Sequence, residues 1–277
     1  MGENYMIQPI AYFRSPLKSK FGVPRQSGIA LELTGTIEMI GEWNDAECLR
    51  GIEDFDYIWL LWGFSANVTA QKHATVRPPR LGGNRRVGVF ATRSSFRPNN
   101  IGLSSVRLLN INATPGKHIE IEVAGADLMD GTPIYDIKPY LPQFDSHPDA
   151  RAGFTDTHKW RQLNVIIPDD IRQQLGETRC RQLREILAED PRPHYHDSTE
   201  RIYGMPFDRY DIKFKVVDNS LIIINIDLSK SKVDLSSPTI PINVLNRNMF
   251  EMSKFSFLTY TNIMRRKSPG NKYPIKS

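Results

Sequence analysis

Apolar and polar positions alternate in short runs over the first 140 residues. IQPIAYF (7–13), residues 29–40, YIWLLWGF (57–64), RVGVFAT (86–92), LSSVRLLNI (103–111), HIEIEVAGA (118–126) and PIYDIKPY (133–140) are rich in β-branched and aromatic residues. Several follow the period of two that a half-buried strand requires. Clusters of Gly, Pro and Asn separate them, and one short helix is expected at NDAECLRG (44–51), capped by Asn44 and stopped by Gly51. Strands and helices do not alternate regularly, which argues against a doubly wound sheet. Many short strands that must hide their edges are best served by closure, so residues 1–146 are expected to form a small antiparallel β-barrel.

The texture changes near His147. QLNVIIP (162–168) reads as a strand leading into DDIRQQLGETRCRQLREILAED (169–190), where Ile171, Leu175, Leu183, Ile186 and Leu187 fall at helical spacing until DPRP ends the run. With the strands YDIKFKVV and SLIIINI, residues 147–228 read as a smaller α+β domain. From 229 to 277 the chain is rich in Ser, Asn and Lys and reads as a basic, disordered extension. The fold class expected is therefore mainly β.

Charge changes this picture in two places. The net charge is +5, from 36 Lys and Arg against 31 Asp and Glu; nine basic and two acidic residues lie after Leu228, leaving 27 against 29 before it. The tail thus sets the sign of the whole chain. Within the body, no acidic residue occurs between Asp56 and Glu120, a window that holds Lys72, Arg77, Arg80, Arg85, Arg86, Arg93, Arg97, Arg107 and Lys117. Among Gly, Pro and Asn these arginines belong on loops, and RPPRLGGNRR (77–86) reads either as a plain hairpin connection or as a strip that grips phosphate.

Other function classes are excluded or set aside. There is no secretory-type leader at the start, and no apolar run approaches the roughly 18 residues of a membrane span. The two cysteines, Cys48 and Cys180, suit a reducing cytoplasm and give no zinc spacing. Neither GxGxxG nor GxxxxGK[ST] is present, and no GxSxG elbow frames Ser94, Ser95, Ser104 or Ser105. HYHD (194–197) lacks further ligands at metal spacing, so no metal is expected. DLMDGTPIYDIKPYLP (127–142) crowds Asp127, Asp130, Asp136, Lys138 and Tyr140 into one turn and strand. They read either as a hairpin with a local ion pair or as groups that orient a polar base and trade protons with it.

Five segments in order, PRQSGI (24–29), TVRPPRLGGN (75–84), GVFATRSSFRPNNIGLS (88–104), DLMDGTPIYDIKPYLP and AEDPRPHY (188–195), make the chain resemble the TsaA/TrmO family of S-adenosylmethionine-dependent tRNA methyltransferases. The resemblance runs from about residue 5 to 228. It implies a barrel that binds S-adenosylmethionine, a homodimer, and methylation at N6 of threonylcarbamoyl-adenosine, position 37, in the anticodon stem-loop of tRNA. Carried over by motif, the methyl donor is expected at Gln26, Ser27, Gly28, Phe64, Ser65, Arg93, Leu103, Ala124, Gly125, Ala126 and Asp127.

Asp130, Asp136, Lys138 and Tyr140 are expected to orient the modified base, and Arg77, Arg80, Arg85, Arg86 and Arg97 to meet RNA phosphates or the threonyl carboxylate. Two positions depart from the family pattern: Asn100 stands where Pro is frequent and is expected to loosen its turn, and Ser65 stands where His is common. A non-catalytic RNA-binding barrel and a methyltransferase acting on a small molecule are the alternatives.

Overall fold

The structure, a computed structural model, describes residues 6–67, 73–158, 162–192 and 200–229. The basic extension and the HYHD segment lie outside the described residues. Six strands close into a barrel: β1 (Ala11–Arg14), β2 (Thr34–Met39), β3 (Tyr57–Gly63), β6 (Ile101–Asn112), β7 (Glu120–Ala124) and β8 (Thr132–Pro139), in the order β1-β2-β7-β6-β3-β8. Every barrel pairing is antiparallel. The interior is filled by alternate residues, among them Phe13, Ile37, Ile58, Leu60, Val106, Ile121 and Ile134. This is the period of two seen in the sequence.

Three local expectations give way. RVGVFAT is not a barrel strand: β5 (Val87–Gly88) pairs only with β4 (Thr75–Val76), and Val89–Ala91 curls into a 3-10 turn that the Thr92 hydroxyl closes on the Val89 carbonyl. The helix at 44–51 is instead a succession of 3-10 turns, with Asp45 rather than Asn44 accepting from the backbone of Glu47. Asn44 is engaged elsewhere, accepting from the Ile119 amide and donating to the Lys117 carbonyl. Of residues 29–40 only the second half is strand, because Ala30 and Leu33 turn away into a second core.

That second core belongs to the C-terminal module. Its sheet runs β10 (Tyr203–Phe207), β11 (Tyr210–Val217), β12 (Ser220–Leu228) and β9 (Asn164–Ile166), with β9 parallel to β12. Two helices cover it, α3 (Asp169–Leu175) and α4 (Glu177–Ala188), where the sequence suggests one. Gly176 separates them at φ 78°, a left-handed value that glycine reaches at no steric cost. Short helical turns α1 (Pro142–Asp145) and α2 (Phe154–Thr157) lie between barrel and module.

The β1–β2 connection bridges the two cores. It starts beside the barrel, yet Leu17, Ala30 and Leu33 are buried with Leu183, Phe207 and Phe214, and Phe21 and Val23 pack against the same cluster.

Candidate methyl-donor pocket and substrate face

A pocket of about 430 Å³ opens where the barrel meets the β1–β2 connection. That size lies within the roughly 300–1,000 Å³ range of small-molecule and cofactor sites. Trp62, Phe64, Ile101, Gly102 and Leu103 form the barrel wall, Val23, Pro24, Arg25 and Gln26 the opposite wall, and Asp127 and Met129 the end between them.

The barrel wall is set by two close approaches. Gly102 faces the Trp62 indole so tightly that a Cβ would sit 2.3 Å from the ring, so only glycine lets the indole lie flat against β6. The Trp62 Nε1–H then donates to Ser104 Oγ at 2.9 Å, and that hydroxyl spends its single proton on Asp127 Oδ1 at 2.5 Å. Ser104 is 1 % exposed and sits at an inward position of β6, where the alternation calls for an apolar side chain.

Asp127 is a half-buried carboxylate presented to the pocket. Burial pushes its pKa up, opposed by the Ser104 hydroxyl, its own amide, the Arg93 charge and the Ser27 amide. Gly28 and Gly125 hold this corner together through Gly28 N–H to the Gly125 carbonyl at 2.8 Å, and Gly125 takes φ 77° beside Leu31. Ala124 and Ala126 are buried around it and supply backbone rather than side-chain chemistry.

Arg25, Arg93 and Arg97 bring guanidiniums to the same pocket. Arg93 donates to Gln26 Oε1 at 2.6 Å across the mouth. Arg97 lines the same pocket but turns one nitrogen back on the carbonyls of Thr92 and Ser94, at 2.8 and 3.2 Å, which shapes the loop. Arg25, not singled out in the sequence, lines the wall and donates to the Asp190 carbonyl at 3.1 Å. Burial lowers its pKa to about 10, with Arg80 pulling the same way and Glu189 and Asp190 opposing, so it is cationic at neutral pH.

Asn100 does the reverse of loosening its turn. It adopts φ 51°, a left-handed conformation that Asn tolerates and that proline's ring forbids. From there its Nδ2 donates to the Phe64 carbonyl and its own carbonyl accepts the Phe64 amide, both at 3.1 Å. Ser65, next to this clamped Phe64, lines the pocket.

The residues expected to face the base divide. A bulge between Leu61 and Trp62 in the pairing of β3 with β8 shifts the alternation, so Ile134 points into the core while Asp136 and Lys138 stand outside. Asp136 lies beside Leu61, which pairs with Leu103 at the pocket rim, and Lys138 lies beside Trp59. Asp136 and Lys138 form a 2.8 Å ion pair, exposed enough for a ligand to reorganise at little cost. Tyr140 continues the face, 5.6 Å from the Trp59 ring and 6.2 Å from Tyr57. Asp130 is not on this face: it accepts from the Ser15 amide and pairs with Lys18 at 2.8 Å, fastening the start of the β1–β2 connection.

Arg77, Arg80, Arg85 and Arg86 cluster on the connection between β4 and β5, where Gly82 and Gly83 both take left-handed φ. LGGN is thus a hairpin connection and a basic loop at once, with Arg77, Arg85 and Arg86 exposed. Among the described residues no group of three or more His, Cys, Asp or Glu is placed to hold a metal ion.

Two family models match the chain, the tRNA-methyltransferase O N-terminal domain over residues 12–146 and the TrmO C-terminal domain over 161–229. The chain belongs to the tRNA-methyltransferase O family. It is 40 % identical over 223 residues to the tRNA (adenine(37)-N6)-methyltransferase of Escherichia coli, covering 78 % of this chain and 94 % of that protein. A Pseudomonas aeruginosa relative, named as an S-adenosylmethionine-dependent methyltransferase, is 39 % identical over 208 residues, 73 % of this chain and 88 % of its own. The crystal structure of TrmO from P. aeruginosa superposes with a TM-score of 0.67 at 30 % identity, covering 83 % of this chain and 99 % of that one. Barrel, smaller α+β module and family membership therefore agree with the sequence reading.

Proposed function

We propose that this protein methylates N6 of threonylcarbamoyl-adenosine at position 37 of tRNA with S-adenosylmethionine as donor. The observation that carries the reading is the meeting, in one pocket, of the Asp127 carboxylate with the guanidiniums of Arg25, Arg93 and Arg97. An amino-acid end with ammonium and carboxylate, joined to an apolar base, is complementary to that arrangement. Asp127 takes the ammonium or the ribose hydroxyls, and Arg93 or Arg25 the carboxylate. Phe64, Ile101, Leu103 and Met129 wall the adenine.

When bound, the donor supplies a methyl group activated on a sulfonium. The chain's own work is to hold the acceptor against that methyl and to take the N6 proton. Asp136, Lys138 and Tyr140 lie on the face that begins at the Leu103 rim, where a base held by the RNA reaches the pocket. N6 of the modified base belongs to a urea-like group, a poor nucleophile, so orientation and proton removal matter more than for a simple amine. The arginines of the β4–β5 connection meet the phosphates of the anticodon stem.

The reading keeps the partition into a barrel at 1–146, a module at 147–228 and an extension from 229. A homodimer acting in the cytoplasm, as the family implies, completes it. Cys48, exposed, and Cys180, buried, are both free thiols, which suits a reducing compartment.

The test is methyl transfer to tRNA with and without the threonylcarbamoyl group. Transfer only to the modified tRNA is expected. Equal transfer to both, or none to either with donor binding absent, would favour a different acceptor or a silent RNA-binding barrel.

A further inference from the structure

We infer that the C-terminal module is a working part of the methyl-donor site, because it fixes the pocket wall that the barrel alone leaves unsupported. The inference rests on the donor reading given above and assigns a positioning role to residues that do not line the pocket.

The wall in question is the segment 15–28. Its two ends are fastened to the barrel side: Asp130 accepts from Ser15 and pairs with Lys18, and Gly28 donates to Gly125. Between those ends, Lys20, Val23, Pro24, Arg25 and Gln26 face the pocket. Arg93 reaches Gln26 from the loop before β6, and the C-terminal module holds the stretch that precedes it. The Phe21 ring stacks on Phe214 of β11 at 6.3 Å and 15°, and Tyr203 of β10 stacks on the same Phe214 ring at 5.6 Å and 20°. Gly22, at φ 94°, lies so close to β10 that a Cβ would fall 2.2 Å from Met205 Sδ. Arg25 reaches the carbonyl of Asp190 just after α4, and Asp190 is itself gripped by Arg192 through both carboxylate oxygens at 2.8 Å. Further along, the Glu32 amide donates to Glu185 and its carboxylate pairs with Arg181.

Ring stacking, a glycine without clearance, and a backbone acceptor thus act on the outer side of a strap whose inner side is pocket wall. A strap released from the sheet would keep its ends and lose its curvature, moving Arg25 and Gln26 relative to Asp127 and Arg93. Donor affinity is then set partly by residues such as Phe214 and Met205, in a module none of whose described residues lines the pocket.

The experiment is calorimetric titration of the full chain with S-adenosylmethionine for wild type, Phe21→Ala, Phe214→Leu and the double variant, each below its own melting temperature. Loss of the stacking interaction is expected to weaken donor binding about fivefold in Phe21→Ala. The two single effects are expected to be non-additive, since both act through one contact. Gly22→Ala, outside the C-terminal core, gives a second view: its methyl presses on Met205 and is expected to weaken donor binding as well.

Unchanged affinity in Phe21→Ala and Gly22→Ala, with lowered melting temperature only, overturns the inference. So do additive losses in the double variant. If wild type itself fails to bind S-adenosylmethionine, the donor reading is what fails.

Discussion

The two walls of the pocket are built by different means. The barrel wall is built from closed strands in which Gly102, Trp62 and Ser104 interlock, and Ser104 carries a relay from the Trp62 indole N–H to Asp127. The opposite wall is an irregular strap with no regular strand or helix across 18–26, shaped by what it packs against on its far side. Asp127 lies just after β7, and the Ser104 hydroxyl on β6, a strand paired on both sides, fixes the direction of its carboxylate. A strap can carry several cations and polar groups past a ligand, but only if something outside holds its path. The two walls and the loop before β6 gather Asp127 and the guanidiniums of Arg25, Arg93 and Arg97 into one site.

The largest effect separating the walls is expected on the rigid side. Asp127→Asn removes a charge-assisted partner and should weaken donor binding roughly 10- to 100-fold, as calorimetry would show. The same change should leave the ligand-free protein as stable or more stable at neutral pH. The sign follows from the raised pKa of Asp127: its protonated form is favoured in the fold, so the stability it contributes is complete below the unfolded pKa and is lost as pH rises through the folded value. Wild-type stability should therefore fall across that window more than the stability of Asp127→Asn, measured by thermal melts at several pH values. Donor affinity should move oppositely, rising as Asp127 ionises.

Gly102→Ala comes next. A methyl group 2.3 Å from the Trp62 ring cannot be accommodated without moving the indole off Ser104. Overpacking of this kind costs about 1–3 kcal/mol, so a lowered melting temperature and weaker donor binding should appear together. A melting temperature equal to wild type would show that the indole has room that the structure denies it.

Asn100 lies at the join between barrel and loop, and its substitution should act more gently. Asn100→Ala loses the side-chain bond to the Phe64 carbonyl and the preference for left-handed φ, worth about 1 kcal/mol together. The expected readout is a several-fold rise in donor KM together with a loss of stability of about 1 kcal/mol. Asn100→Gly, which restores the backbone freedom but not the bond, should fall between the two.

The smallest effect on the pocket is expected from the β4–β5 arginines. Arg80→Ala, Arg85→Ala and Arg86→Ala should each lower the salt slope of tRNA binding by about one where a phosphate contact is lost. Arg80 should differ from the others, because its charge also bears on Arg25 in the strap. Identical donor affinity and an unchanged salt slope in all three variants would remove this loop from both roles.

Much of the rigid wall was legible in the sequence, and the reason is periodicity. Alternation in YIWLLWGF and LSSVRLLNI marks β3 and β6, and the motif carried Asp127, Arg93 and Phe64 to one pocket. Ser104 carries a signal of its own: Gly102, Ser104 and Val106 occupy consecutive inward positions, and a hydroxyl among them needs a buried partner. The strap was harder. Its residues follow no period, and Phe21 and Gly22 take their meaning from Phe214 and Met205, nearly 200 residues away in the chain. The one accessible clue was Arg25, inside the same PRQSG segment that supplied Gln26, Ser27 and Gly28. Asp130 shows the converse failure, since crowding with Asp127 and Asp136 in sequence did not survive the turn that directs it toward Lys18.

The pocket between these two walls is proposed to hold the methyl donor. The most direct measurement is an experimental structure of the full chain with S-adenosylhomocysteine bound, since that product keeps every recognition group of the donor. The account predicts the ligand between Asp127 and the strap, its amino-acid end spanning Asp127 and the guanidiniums of Arg93 or Arg25 and its adenine against Phe64 and Leu103. A ligand seated elsewhere, on the Asp136–Lys138 face or along the β4–β5 arginines, would contradict it.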